Sequence, residues 1–181
     1  VDLGAGEPDF PTPKHIGAAA HAAIDANFTK YTTNSGTDEL KKAIVARYKT
    51  DYGVEYATNE VIVSAGGKQA LFNAVMVLFG AGDEVITHMP GWPTLVEQIK
   101  LADATPVIVH THAEYGFRLR ADTFVRAFTP KTRGIILASP GNPTGAVMPL
   151  DEWRTLFELS DRHGFVIASD ECSSEIYFRD E

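Results

Sequence analysis

From Glu60 onward the chain repeats one arrangement, a short apolar run rich in β-branched residues followed by a stretch with helical spacing. The runs are "VIVSA" (61–65), "DEVITHM" (83–89), "TPVIVHT" (105–111), "RGIILAS" (133–139) and "FVIASDE" (165–171). Between them lie "GKQALFNAVMVLF", "TLVEQIKLA", "ADTFVRAF" and "PLDEWRTLFELSDRHG". Strands that lack polar alternation are buried on both faces, and a helix after each one carries the chain back to the starting edge. The pattern therefore predicts an α/β fold with a mostly parallel sheet flanked by helices.

Ahead of that region, the prolines and glycines of "GAGEPDFPTP" predict an ordered loop or extended arm. A helix over 14–26 follows, with Thr12 as its cap and Pro13 at its start. After "NFTKYTTNSGT", Thr37 or Asp38 can cap a second helix with Leu40, Ile44, Val45 and Tyr48 on one face; Gly53 ends it. No repeat, low-complexity segment or dividing linker interrupts the chain.

Composition narrows the function classes. With 181 residues, 44% of them hydrophobic and 22% charged, the chain can bury one sizeable core. A formal charge of −8 weighs against a nucleic-acid backbone or an anionic membrane surface as the partner. The longest apolar run, "AVMVLFGA" (74–81), is far short of the roughly 18 to 20 residues of a membrane helix. The one cysteine, Cys172, allows no internal disulfide and fits a reducing compartment, so a cytoplasmic location is expected. No cysteine and histidine cluster has zinc spacing, and the histidines, including the "HTH" of 110–112, read as solvated or structural; no metal is expected. A chain that starts at Val1 without a leader, and stops abruptly at "YFRDE", reads as a fragment of a longer protein.

In open parallel sheets ligands collect beyond the carboxyl ends of the strands. Four unusual turns fall there: "AGGKQ", "PGWP", "PGNPTG" and "DECSS". Two glycines between a strand and a helix leave backbone amides free to hold a phosphate, or merely permit a tight turn and close packing. Lys68 alone reads as a first-turn surface residue. Trp92 can lie on an aromatic ligand or fill the core at a helix start. Asp170 emerges from an apolar strand, where a carboxylate needs a partner: a buried cation such as a protonated pyridine nitrogen, or a structural hydrogen bond. Asn142, held between Pro140 and Pro143, can read a phenolic oxygen or simply serve as a turn residue.

Taken together, "LGAGEPDFPTP", "KYTTNSGTDELKKAI", "SAGGKQALFNAV", "GDEVI", "PGWP", "SPGNPTG" and "SDE" resemble the class I aminotransferases of the fold-type I pyridoxal-phosphate enzymes, the group that includes aspartate aminotransferase. The resemblance covers essentially the whole chain. It implies residues 1–36 as an N-terminal arm, first helix and loop, and 37–181 as part of the large cofactor-binding domain, without the C-terminal domain. It implies that Gly66, Gly67 and Lys68 lie at the phosphate of pyridoxal 5'-phosphate, that Trp92 stacks on its ring, that Asn142 bonds its phenolic oxygen, and that Asp170 pairs with the ring nitrogen. Gly6 would border the substrate. Tyr31 would reach the phosphate in a neighbouring subunit, which implies a homodimer.

The implied reaction is transamination between an amino acid and a 2-oxo acid, with an aspartate-like substrate first. Other fold-type I chemistry, such as carbon–sulfur β-elimination, and a non-catalytic sensor domain are the alternatives. "SSEIYF" after Asp170 also resembles transaminases that act on an acylated diaminopimelate.

Two departures qualify the resemblance. The family usually has a tyrosine three residues after this aspartate, where this chain has Ser173; Tyr177 is not assigned that role. The cofactor-anchoring lysine lies in the family beyond the aspartate strand, and none of the eight lysines here has that setting. The expectation is that this piece contains no catalytic residue and is inactive alone, while its parent is an aminotransferase.

Overall fold

Four strands, β1 (Glu84–Met89), β2 (Thr105–His110), β3 (Thr132–Ala138) and β4 (Val166–Asp170), form one sheet in the order β2-β1-β3-β4, and every neighbouring pair is parallel. The structure is a computed structural model that describes residues 6–176, so Tyr177 lies outside the described residues. It divides into two compact units, one ending at Ile62 and the other beginning at Val63.

The first unit holds α1 (Lys14–Asp25) and α2 (Asp38–Tyr52). At α1 the expected Thr12 cap gives way to Pro13, which has no capping side chain. The Pro13 carbonyl already accepts from Ile16 and Gly17, so helical bonding starts there and Thr12 stands one residue too early to reach the orphan amides. At α2, Thr37 Oγ1 accepts from the Leu40 amide at 3.4 Å, and Gly53, at φ +70°, closes the helix in the left-handed region. The expected apolar face is half-buried at Ile44, Val45 and Tyr48, with Leu40 more exposed.

In the second unit the sheet is covered on both faces. On one side α3 (Gly67–Leu78) and α4 (Pro93–Leu101) send Val75, Leu95 and Ile99 against Val85 and Ile136. On the other, α5 (Ala121–Val125) and α6 (Leu150–His163) send Phe124 and Leu156 against Ile86, Ile135 and Leu137. Neighbouring strand residues serve opposite faces, which is the two-residue period of a strand buried on both sides. Each such side chain taken fully from water contributes about 1.5–3 kcal/mol.

Two sequence expectations change. "VIVSA" (61–65) is not a buried strand: no described strand pairs with it, although Val61 has extended angles, and Ile62 is 70% exposed. Its apolar content is that of a strand, but a strand also requires a hydrogen-bonding neighbour. The helix expected over 121–128 stops at Val125, because Ala127 and Phe128 donate to carbonyls three residues back and Pro130 cannot continue the ladder.

The strand order creates the place where a ligand fits. The chain runs from β1 to β2 on one side, then crosses back over β1 to β3, so β1 and β3 flank the topological switch point. The β1–β2 ladder runs to Met89↔His110 and the β3–β4 ladder to Ala138↔Asp170, but β1–β3 pairing ends at Ile86↔Ile135. Both strands continue past that pair, to Met89 and Ala138, without a ladder between them. At such a switch point ligands fit the crevice outside the strand ends.

Candidate cofactor site at the carboxyl edge of the sheet

The amino end of α3 is built by two glycines with different tasks. Gly66 holds φ +81° and ψ 165°, a region essentially restricted to glycine. Gly67 allows close approach, since a β-carbon there would stand 2.6 Å from Cys172 Sγ. No side chain caps the helix at Gly66, which leaves first-turn amides directed outward at the positive end of the helix dipole. Tight turn and anion cradle are thus compatible readings of one loop.

Lys68 connects that loop to the next turn. Its Nζ lies 5.3 Å from the centroid of the Trp92 ring, a cation–π contact, and its carbonyl accepts from Gln98 Nε2 at 2.9 Å. Gln98 is buried on α4, so the first turn of α3 is fastened to the helix that Trp92 begins. Trp92 itself is half-buried against the core beneath and stands as the N-cap of α4, ahead of Pro93.

The turn after β3 is closed on itself. Gly141 N donates to the Ala146 carbonyl at 2.9 Å, Gly145 N to the Gly141 carbonyl at 2.7 Å, and Met148 N to Ser139 Oγ at 3.0 Å. Asn142 is exposed within it, and among the described residues its side chain has no hydrogen bond. Ser139–Pro140 and Asn142–Pro143 are both cis.

Asp170 ends β4 and is only 9% exposed. Its Oδ1 accepts from the Cys172 amide at 3.1 Å, and no Lys, Arg or His among the described residues forms an ion pair with it. The Asp170 carboxylate beside the Cys172 thiol, through hydrogen bonding first, then with burial and its negative charge, raises the thiol pKa above its ordinary value. Ser173 lies in the turn that follows, half-buried, with its carbonyl accepting from Ile176 N at 2.9 Å.

Of the residues singled out in sequence, the second unit brings Gly66, Gly67, Lys68, Trp92 and Asp170 to one edge through the contacts above, and puts Asn142 on the turn between them in strand order. Gly6 and Tyr31 belong to the first unit; both are exposed, and Tyr31 is 107% exposed. Sequence reasoning gave His88, Gln98 and Cys172 no place at the site. His88 is buried at 3% exposure near the end of β1, and its only signal was a histidine inside an otherwise apolar strand.

The donor set matches the chemistry of a phosphorylated, protonated pyridine. Helix-terminal amides suit a phosphate, an indole face suits the ring, and a buried carboxylate without a cationic neighbour suits a ring N–H⁺. The residues fit.

A parallel sheet covered on both faces, with these groups at its switch point, is the architecture of a ligand-binding α/β domain. The family model described as aminotransferase class I and II matches residues 1–180, and the chain belongs to that family. It is 44% identical over 166 residues to an aspartate aminotransferase of Rhizobium meliloti (strain 1021), covering 92% of this chain and 40% of the relative. It is 44% identical over 181 residues to an aspartate/prephenate aminotransferase of Cereibacter sphaeroides, covering 99% of this chain and 45% of the relative. The crystal structure of the aspartate aminotransferase from Rhizobium meliloti superposes with a TM-score of 0.93 at 41% identity, over 99% of this chain and 45% of that one. The aromatic aminotransferase from Pyrococcus horikoshii OT3 gives 0.94 at 35% identity, over 99% and 48%. The chain therefore spans less than half the length of these relatives. No helix among the described residues is long and apolar enough to cross a membrane.

Proposed function

We propose that the protein to which this chain contributes is a pyridoxal-phosphate-dependent aminotransferase that moves an amino group between an aspartate-like amino acid and a 2-oxo acid. The observation that carries the reading is Asp170, a nearly buried carboxylate at the switch-point edge with no cationic partner among the described residues. When bound, pyridoxal phosphate supplies the electron sink that makes an amino acid's α-proton acidic. Asp170 would hold the ring nitrogen protonated, Trp92 would orient the ring by stacking, and the amides of Gly66 and Gly67 with Lys68 would hold the phosphate.

Lys68 now leans on Trp92, so on binding its ammonium would exchange an aromatic contact for an anion, and both partners suit a cation. Asn142 would donate to the phenolic oxygen from a turn that needs little reorganisation. The substrate-border role of Gly6 and the service of Tyr31 to a neighbouring subunit, hence a homodimer, belong to the same reading; the full exposure of the Tyr31 ring supports it. The lone cysteine supports a cytoplasmic setting. Proton transfer is assigned to no residue of this chain.

The test is made on the full-length protein. Titration with pyridoxal phosphate is expected to saturate at one equivalent per chain, and the loaded protein to transfer the amino group of aspartate to a 2-oxo acid. Asp170→Ala should retain the fold and lose the transfer. Absence of cofactor binding, or release of pyruvate and ammonia from a sulfur amino acid in place of transfer, would overturn the assignment.

A further inference from the structure

The β1–β3 ladder ends at Ile86↔Ile135, and what bridges the two strands beyond it is a side chain. His88 Nε2 lies 3.4 Å from the Ala138 amide nitrogen at the end of β3. On the other side of the ring, Nδ1 lies 3.1 Å from the Pro90 carbonyl oxygen. The partners fix the tautomer: a backbone N–H can only donate, so Nε2 carries the lone pair, and a carbonyl can only accept, so Nδ1 carries the proton. The turn folds tightly onto this residue, since a β-carbon on Gly91 would lie 2.3 Å from the His88 carbonyl oxygen and 3.5 Å from ring Cε1.

We propose that His88 is a positioning residue whose neutral imidazole joins the Pro90–Trp92 turn to the Ala138 end of β3, and so sets Trp92 and Asn142 relative to each other across the crevice. The proposal rests on the cofactor reading above for what those two side chains grip. The physical case is that a crevice wide enough for a planar ligand costs two strands their mutual hydrogen bonds. An imidazole is rigid and has opposed donor and acceptor nitrogens, so it satisfies a group on each side without closing the gap. Its burial at 3% exposure keeps water from replacing either bond.

Two amide variants separate the ends of the bridge. In His88→Asn the side-chain nitrogen can occupy the Nδ1 position and keep the Pro90 bond, while the Ala138 amide loses its acceptor. In His88→Gln the amide oxygen can occupy the Nε2 position and keep the Ala138 bond, while the Pro90 carbonyl loses its donor. Both are read in the full-length protein by amide hydrogen exchange of peptides spanning 89–93 and 138–143, and by titration with pyridoxal phosphate.

The bridge predicts faster exchange in both peptides in each variant, and cofactor affinity weaker by about tenfold, the scale of one lost buried hydrogen bond. Faster exchange at one turn alone, or unchanged exchange at both, overturns the coupling. Faster exchange at both turns with unchanged affinity overturns the positioning role. If wild-type protein takes up no pyridoxal phosphate, the cofactor reading fails, while the exchange data still decide the bridge. A variant that does not fold is replaced by the control His88→Leu in the same assay, for which loss of both bonds predicts the larger change and wild-type exchange overturns the proposal.

Discussion

Gly67 and Cys172 meet where the amino end of α3 touches the residue pair that follows β4: a β-carbon at 67 would stand 2.6 Å from Cys172 Sγ. The helix end that suits a phosphate is thus packed against the side chain two residues beyond the carboxylate that suits a ring nitrogen. If both ends hold the cofactor as proposed, side-chain packing at Gly67 and Cys172 contributes to the spacing between them.

Gly67→Ala is expected to destabilise the protein, because the new methyl must displace Sγ. Overpacking of this kind costs about 1–3 kcal/mol, against less than ~1 kcal/mol gained from alanine's helix preference at a first-turn site. Since Sγ is the end of a short side chain, the low part of the range applies. Thermal unfolding of Gly67→Ala, Cys172→Ala and the double variant should show the penalty only when Cys172 is present; additive effects would mean that the contact does not limit position 67.

The Cys172 thiol is expected to alkylate slowly at neutral pH, since its hydrogen bond to Asp170 comes first among the causes that raise its pKa. Asp170→Asn removes the charge that disfavours the thiolate. Iodoacetamide rates measured against pH should reveal a lower thiol pKa in that variant. An unchanged profile would mean that burial, the second cause, governs this thiol.

Much of this was legible in the sequence, for identifiable reasons. Strands β1 and β3 announced themselves because burial on both faces forces continuous apolar runs, β2 and β4 by their β-branched content although they are only partly covered, and the glycines at 66 and 67 because backbone angle and close approach each exclude a side chain there. The 61–65 run misled because pairing is a property of two segments and composition describes one. His88 was illegible for a related reason: its role depends on where the β1–β3 ladder stops, and ladder length is fixed by tertiary structure. Gln98 was hidden likewise, since its partner is a carbonyl distant in sequence, that of Lys68.

Stability is expected to fall on mild acidification through His88. Burial lowers its pKa below the ordinary 6.5, and the Pro90 hydrogen bond only partly opposes this. Because the folded value is the lower one, the unfolded chain binds the proton first. The contribution is complete above about pH 6.5, shrinks as pH falls toward the folded value, and levels off below it. A protonated ring would also point an N–H at the Ala138 amide. Chemical denaturation between pH 5 and 8 should show a shallower decline in His88→Gln than in wild type, a comparison framed by the span in which histidine titrates, about pH 5 to 8. Parallel curves would assign the acid sensitivity elsewhere.

Ser173 sets the last expectation. Its hydroxyl is too short to take over from a tyrosine ring without backbone movement, and its carbonyl is engaged by Ile176 N at 2.9 Å, which pins the turn. If pyridoxal phosphate binds as proposed, Asn142 is left to donate to the phenolic oxygen without a hydroxyl from position 173. Removing one of two donors to an oxyanion raises the pKa of the group that shares its charge balance less than removing the remaining one. In the full-length protein, Asn142→Ala should therefore move the pH midpoint of the cofactor absorbance, and Ser173→Tyr should move it in the opposite direction. In the Ser173→Tyr background the effect of Asn142→Ala should shrink, because a second donor is then present. Equal shifts in both backgrounds would mean that position 173 does not face the phenolic oxygen, and the turn would then have to be assigned another contact.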